Sequence, residues 1–570
     1  MSACPTSVRP ISVRPISARL FSLVMALGLF GTRALAQAQP ANISPSSNPG
    51  GYKIAGTVVS KVDGHPLARA RIFIRQARDQ QKFQSMVTSD DGKFEFSGLP
   101  AGKYSLEGTK RGYISAGYDQ HDQFSTAIVT GAGIDTEGLV LRLAPAAVIT
   151  GKVLDEAGDP VRRAMVIVYY DDHSGGVDKI QQFRNAQTDD QGAYEITPLM
   201  PGTYFLSATA SPWYAVHSNA ELANAGPEEK SASSRPIDRS LDVAYPVTYY
   251  ADVTDAGSAT PIPVRGGDRT QADIHLNPVP ALHLFFHVPG DGKNGFTYPQ
   301  LEQPAFEGST VVHNSDSRMV SPDVVEIMGI PAGRYNIRVG GASTSFQMNG
   351  VDLSKDGEEV DTSTGEALSG IKVSVHALGE ATLPPRLSVG LRSGSRVLAW
   401  QPVDSKGEVV SQQIAAGRYE VLVWGAEKPY SIAHMAAEGA EVAGHTLTVP
   451  AAASLSVSLT LVGGSAEIQG TVKRAGKAFA GAMVVLVPKN PELDRDLFRR
   501  DQSDLDGTFS LRGVIPGSYT ALAIENGWDL DWSQPGVIAA YVKHGRTIEV
   551  GNQGGGRPID LAEAIDVQSK

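Results

Sequence analysis

The chain is 570 residues long, with a formal net charge of −11, 60 glycines, 35 prolines and a single cysteine. That acidic balance disfavours nucleic acid, whose phosphates call for basic residues, and one cysteine excludes a disulfide framework or a Cys-ligated metal. A chain this rich in turn formers, and longer than one core can serve, is expected to fold as several β domains.

In chain order, Arg9, Arg14 and Arg19 precede the apolar run Leu20 to Phe30, and Ala34-Leu35-Ala36 follows it. This is the pattern of a secretory signal peptide, residues 1–36, cleaved before Gln37. The run is shorter than the roughly 20 residues of a membrane-spanning helix, and no later stretch approaches that length. A secreted or periplasmic chain with no direct membrane span is therefore expected. Cys4 falls inside the leader, so no thiol remains after cleavage. Removing the leader's four arginines leaves 46 basic against 61 acidic residues, a net charge of −15.

After a linker, 37–50, one phrase recurs five times: Leu99-Pro100-Ala101-Gly102-Lys103-Tyr104, Met200-Pro201-Gly202-Thr203-Tyr204, Ile330-Pro331-Ala332-Gly333-Arg334-Tyr335, Ile414-Ala415-Ala416-Gly417-Arg418-Tyr419 and Ile515-Pro516-Gly517-Ser518-Tyr519. Its tyrosines are 84 to 131 residues apart, a period that fits a domain array and exceeds the roughly 20 to 50 residues of a solenoid repeat. Pro followed by Gly predicts a tight turn between two strands, with glycine supplying the positive φ of a type II turn. Beyond the turn, Tyr104 and Leu106, Tyr204 and Leu206, Tyr335 and Ile337, and Tyr419 and Val421 fall on one face of a strand and should line the cores. In the fifth copy Ala521 and Ala523 share the face of Tyr519 while Leu522 and Ile524 point away, so that strand is expected to be covered on both sides.

Ahead of the turn stand acidic corners, Asp90-Asp91-Gly92, Asp189-Asp190-Gln191-Gly192 and Asp504-Leu505-Asp506-Gly507, each feeding an aromatic-x-apolar strand. Each of these three units opens with Gly-x-Val, at Gly56, Gly151 and Gly470. Together with Asp63-Gly64-His65-Pro66-Leu67 and Ile72, this run resembles the carboxypeptidase regulatory-like family, best over residues 51–110, 147–208 and 466–524. The resemblance implies a transthyretin-like or prealbumin-like sandwich within the carbohydrate-binding-like folds. In that family the module accompanies metallocarboxypeptidase domains or outer-membrane receptors, or repeats in secreted bacterial proteins.

The fold class expected is all-β, a tandem array of small seven-stranded antiparallel β-sandwiches, prealbumin-like or immunoglobulin-like. The units are 51–145, 146–278 with a loop insertion from Ser218 to Ser240, degenerate sandwiches at 279–364 and 365–462, and 463–570, with a connection at Gly554-Gly555-Gly556 before a last strand at Ile559 to Ala564.

No catalytic residues are assigned. The 12 histidines are scattered, and the closest group, His275, His283 and His287, is interrupted by Pro278 and Pro280, so a surface reading outweighs a metal site. Gly112-Tyr113-Ile114-Ser115-Ala116-Gly117 has the wrong spacing for a nucleophile elbow, and no phosphate-binding loop occurs. The acidic corners supply too few oxygens for Ca²⁺ and lack the full calcium-loop pattern, which leaves Asp-Gly turns. No metal and no cofactor are expected, and the chain is read as a non-enzyme.

One binding signal remains, the aromatic side chains after the exit strands: Tyr113, Tyr118, Trp213, Tyr214, Tyr249, Tyr250, Trp528 and Trp532. Exposed, they would stack on sugar rings; otherwise they pack over an open sandwich end or between domains, the plainer reading. The partners expected are an extracellular polysaccharide or another cell-envelope protein. A spacer or adhesive array, and an accessory to a separately encoded peptidase or receptor, stand beside the binding protein as alternatives.

Overall fold

A computed structural model describes residues 51–570 except 78, 218–237, 289–297, 307–309, 313–314, 341–344, 379–382, 384–385, 394–395, 426–429, 464–465, 493 and 552–557. The expected signal peptide, the linker, most of the Ser218 to Ser240 insertion and the Gly554 to Gly556 connection lie outside the described residues.

The recurring phrase marks where the chain crosses between the two sheets of a sandwich. In the first unit Lys93–Leu99 pairs with the opening strand, whereas Gly102–Thr109 pairs with Arg71–Gln76 in the facing sheet. Each tyrosine closes its own corner by donating its hydroxyl to the carbonyl oxygen four residues upstream. The bonds run from Tyr104 to Pro100 (3.0 Å), Tyr204 to Met200 (2.8 Å), Tyr335 to Pro331 (2.7 Å), Tyr419 to Ala415 (2.9 Å) and Tyr519 to Ile515 (3.0 Å). Their rings are buried, so one side chain fills the core and satisfies a turn carbonyl.

The type II expectation is corrected here. Gly102, Gly202, Gly417 and Gly517 have φ of 156–159°, near full extension rather than left-handed, and in three units the tyrosine ring folds back to within 3.2–3.6 Å of where a glycine Cβ would stand. The left-handed residue comes earlier, at Gly98 (φ 70°), Gly329 (77°), Gln413 (62°) and Gly513 (72°). Each sits where the pairing with the opening strand slips by a residue, a bulge that turns the strand toward the other sheet.

The strand pairs are mostly antiparallel, but in every unit the first and last strands run parallel. The pairs Val58↔Leu141, Val153↔Ile274, Phe286↔Val360, Val373↔Val457 and Val472↔Ile565 show it in the five units. Parallel terminal strands bring the chain in at one end of a sandwich and out at the other, which suits units strung in series.

Among the described residues five apolar cores follow, one per sandwich. A sixth cluster lies on the outer face of the fifth unit, where Leu522, Ile524, Met483 and Val485 are covered by Trp532 and by Ile538 of the helix Pro535–Val542. Ala521 and Ala523 face the inner core, so the two-sided burial expected of this strand is present. A seventh cluster joins Tyr169 and Tyr249 of the second unit to Phe306 and Val311 of the third.

Candidate functional site

The fifth sandwich packs on the first two through residues spread over its acidic corner and aromatic loop. Lys103 Nζ lies 2.5 Å from Asp504 Oδ2 and donates to Thr508 Oγ1 at 2.6 Å, while the Ala127 N–H donates to Asp504 Oδ1 at 2.9 Å. Buried Gln502 donates to the Asp119 carbonyl (2.6 Å) and to Thr126 Oγ1 (2.7 Å), and Leu505 packs against the first core. From the second unit His173 Nε2 meets the Leu530 carbonyl at 2.9 Å. Arg500 donates to the Ser174 carbonyl (2.8 Å) and to Asp122 Oδ2 (3.2 Å), with its guanidinium 4.2 Å above the Trp532 ring. Burial lowers the Arg500 pKa against the pull of Asp122. Burial also raises Asp504 despite Lys103, and pushes Asp501 up to about 6.

The acidic corners thus divide by unit. Asp189 and Asp404 each accept two backbone N–H groups of their own turn at 2.7–2.9 Å, whereas Asp504 is spent on docking. Among the described residues no group of three or more His, Asp or Glu side chains is placed to hold a metal ion. His275 pairs with Asp252, His287 with Glu359, and His283 lies between Asp242 (2.9 Å) and Glu326 (3.1 Å). His283 is half-buried rather than a surface residue. Burial lowers its pKa, but the two carboxylates outweigh this and raise it.

The aromatic set is divided by this packing. Trp213 alone is largely exposed, at 88 %, edge-on to Tyr214 at 5.8 Å. Tyr214 donates to Glu156, and burial followed by that carboxylate pushes its pKa up to about 12. Tyr249 and Trp532 are corrected from loop candidates to buried residues, 1 % and 8 % exposed, because one sits in the joint with the third unit and the other beneath Arg500. Trp528 is half-covered, its ring stacked on His121 of the first unit. Tyr113 and Tyr118 lean on the first core and Tyr250 on the second.

Where the first, second and fifth units meet they leave a cleft of about 990 Å³. Tyr118 and the loop Asp119 to Asp122 form one wall, Tyr170 and Asp172 another, and Arg500 closes the end. Lys61, just past the opening strand, and Arg142, on the strand paired parallel to it, also line the cleft, and among the described residues neither forms an ion pair. Burial and nearby carboxylates raise the Tyr118 and Tyr170 pKa values, so both hydroxyls stay protonated donors at neutral pH. Aromatic faces, carboxylates and cations in one cleft suit a ligand with a flat apolar face and many hydroxyls. Tyr118 was visible in the sequence as a candidate. Tyr170 was missed: strand alternation turns it toward its own core, where it packs on Tyr204 at 5.1 Å, and nothing local marks it as part of a cleft.

Residues 53–130 and 148–231 match the family model of the carboxypeptidase regulatory-like domain. These two tandem segments therefore carry the domain that the sequence motifs resemble. None of the curated proteins compared matches the chain. Among solved structures the minor pilin GBS52 of Streptococcus agalactiae is 14 % identical, with 40 % of this chain and 97 % of that one covered and a TM-score of 0.21. The Bacillus anthracis TIE protein is 10 % identical, covers 72 % and 73 %, and scores 0.17. The shaft pilin SpaA of Lactobacillus rhamnosus GG is 10 % identical, covers 40 % and 98 %, and scores 0.18. Scores this low carry no argument about function. Among the described residues no helix is long and apolar enough to cross a membrane.

Proposed function

We propose that the chain is a non-catalytic binding protein of the cell exterior or periplasm that holds a carbohydrate in the cleft shared by its first, second and fifth sandwiches. The observation that supports this is the lining: Tyr118 and Tyr170 bring aromatic rings, and Asp119, Asp172 and Arg142 bring hydrogen-bonding groups, to one open cleft. Replacing both tyrosines by alanine should weaken binding of a soluble polysaccharide about tenfold or more, measured by calorimetry across a glycan panel. Unchanged affinity in a folded Tyr118→Ala/Tyr170→Ala chain would remove the cleft from consideration. A structural array is the second reading, favoured by the parallel terminal strands, and it predicts that no glycan binds at all.

A further inference from the structure

The outer face of the fourth sandwich carries two exposed tryptophans that the cleft does not use. In the sheet containing Leu387–Ser393, Arg396–Pro402 and Gly417–Gly425, one cross-strand row reads Trp400, Gly390, Leu422 and the next Pro402, Ser388, Trp424. Trp400 is 45 % exposed and Trp424 53 %. Indoles of that size are unusual on a free surface, and two on one sheet face mark an interaction site.

Gly390 has no side chain, yet it is buried. Its cross-strand neighbours on this face are Trp400 and Leu422, so the glycine leaves a low point in the row beside the half-exposed Trp400 indole. Trp424 stands two strands away, roughly 10 Å across the sheet at ordinary strand spacing, with only Ser388 and Gly390 between the two rings. The result is a low floor flanked by two aromatic faces.

Charge narrows the occupant. Neither row holds a charged residue. In the next row Arg392 donates two N–H groups to the Glu420 carboxylate, Nε at 2.7 Å, closing those charges on each other. A chain of net charge −11 with an uncharged patch of this kind does not select a polyanion or a charged peptide. A neutral pyranose chain fits: its C–H faces pack on the two rings, and its hydroxyls reach Ser388 and the paired Arg392 and Glu420 from the rim.

We propose that Trp400 and Trp424 form a second carbohydrate-binding face, for an extended neutral polysaccharide. It shares the ligand class of the cleft but none of its residues. With both sites on one strand of glycan, the second contact becomes intramolecular and strengthens the first.

The test is retardation of the full chain in native gels containing hydroxyethyl cellulose, xylan or dextran. At least one of these should slow the unmodified chain, and Trp400→Ala and Trp424→Ala should each weaken that retardation roughly tenfold. Tyr118→Ala/Tyr170→Ala should leave the contribution of this face in place, which separates its failure from failure of the cleft. If an alanine variant does not fold, acrylamide quenching of the Trp213→Phe chain replaces it, and the retarding glycan should protect the remaining exposed tryptophans. The proposal is overturned if no neutral glycan retards the chain, or if a folded double variant is retarded like the parent. It is equally overturned if the double variant loses self-association instead, which would make the face a contact between copies.

Discussion

Trp528 of the fifth sandwich lies flat on His121 of the first, with ring centroids 5.0 Å apart and planes 6° from parallel. Their separation in sequence exceeds three-quarters of the span from residue 51 to residue 570, so the stack records a long-range docking rather than local loop packing. Arg500 and Phe124 extend it, with the guanidinium 5.3 Å from the Phe124 ring and 5.8 Å from Trp528.

That docking makes a covalent prediction. A carbodiimide, which joins an amine and a carboxylate only in direct contact, should link Lys103 to Asp504, 2.5 Å apart. Peptide mass spectrometry should find this cross-link at a protein concentration too low for contacts between copies, and Trp528→Ala should reduce its yield. A yield that rises with protein concentration would assign the contact to different chains.

The corner tyrosines should be separable from their rings. Tyr335→Phe keeps the buried ring but leaves the Pro331 carbonyl without its 2.7 Å bond, a loss of about 1 kcal/mol. Tyr335→Ala also empties the core position and should cost about 3–5 kcal/mol. Chemical denaturation of the two variants measures both; equal losses would deny the hydroxyl any role.

The bulge glycines should differ according to what lies beside them. At Gly98, φ 70°, a Cβ meets nothing within 4 Å, so Gly98→Ala should cost only the backbone strain, about 1–2 kcal/mol. At Gly329, φ 77°, a Cβ would stand 2.8 Å from the His217 imidazole, which is itself bonded to Asp242 at 3.0 Å. Gly329→Ala should therefore cost more and disturb the joint between the second and third units. Thermal unfolding of both variants would expose the error if the ranking were reversed.

Asp501 predicts a pH dependence of definite sign. Its carboxyl titrates near 6 in the folded chain because it is buried, against 3.8 as the ordinary value. The folded state therefore holds the proton more tightly, and stability is fully present below about 3.8 and declines as pH rises toward 6. Across that window the loss is about 3 kcal/mol at most. Asp501→Asn keeps an acceptor for the Ser510 N–H, bonded at 2.6 Å, and should match the parent at pH 4 while exceeding it at pH 7. Parallel stability curves would contradict the assignment.

Much of the fold was legible because strand alternation is a local property. The tyrosine faces, the Asp-Gly corners and the two-sided strand at Leu522 and Ile524 all follow from period-two patterning. The bulges at Gly98, Gly329 and Gly513 were equally present as glycines one or two residues before each Leu-Pro or Ile-Pro phrase, but a lone glycine does not by itself distinguish a bulge from a turn. The helix Pro535–Val542 left a weak signal: eight residues, small and apolar, formed against the outer face of a strand that itself needs cover. The site was least legible. Whether Trp532 or Trp213 meets solvent depends on contacts between units hundreds of residues apart, and the outward turn of Trp400 depends on strand register.

The contact of Lys103 with Asp504 also sets a timetable. Synthesis begins at the N-terminus, so the first sandwich is complete while its partner face does not yet exist. Phe124, Thr126 and the amide of Ala127 must wait, uncovered, through the making of three further units. The Arg500 end of the cleft is therefore the last part of it to come into being, and a chain cut short before that residue would keep four sandwiches but leave the cleft without that end.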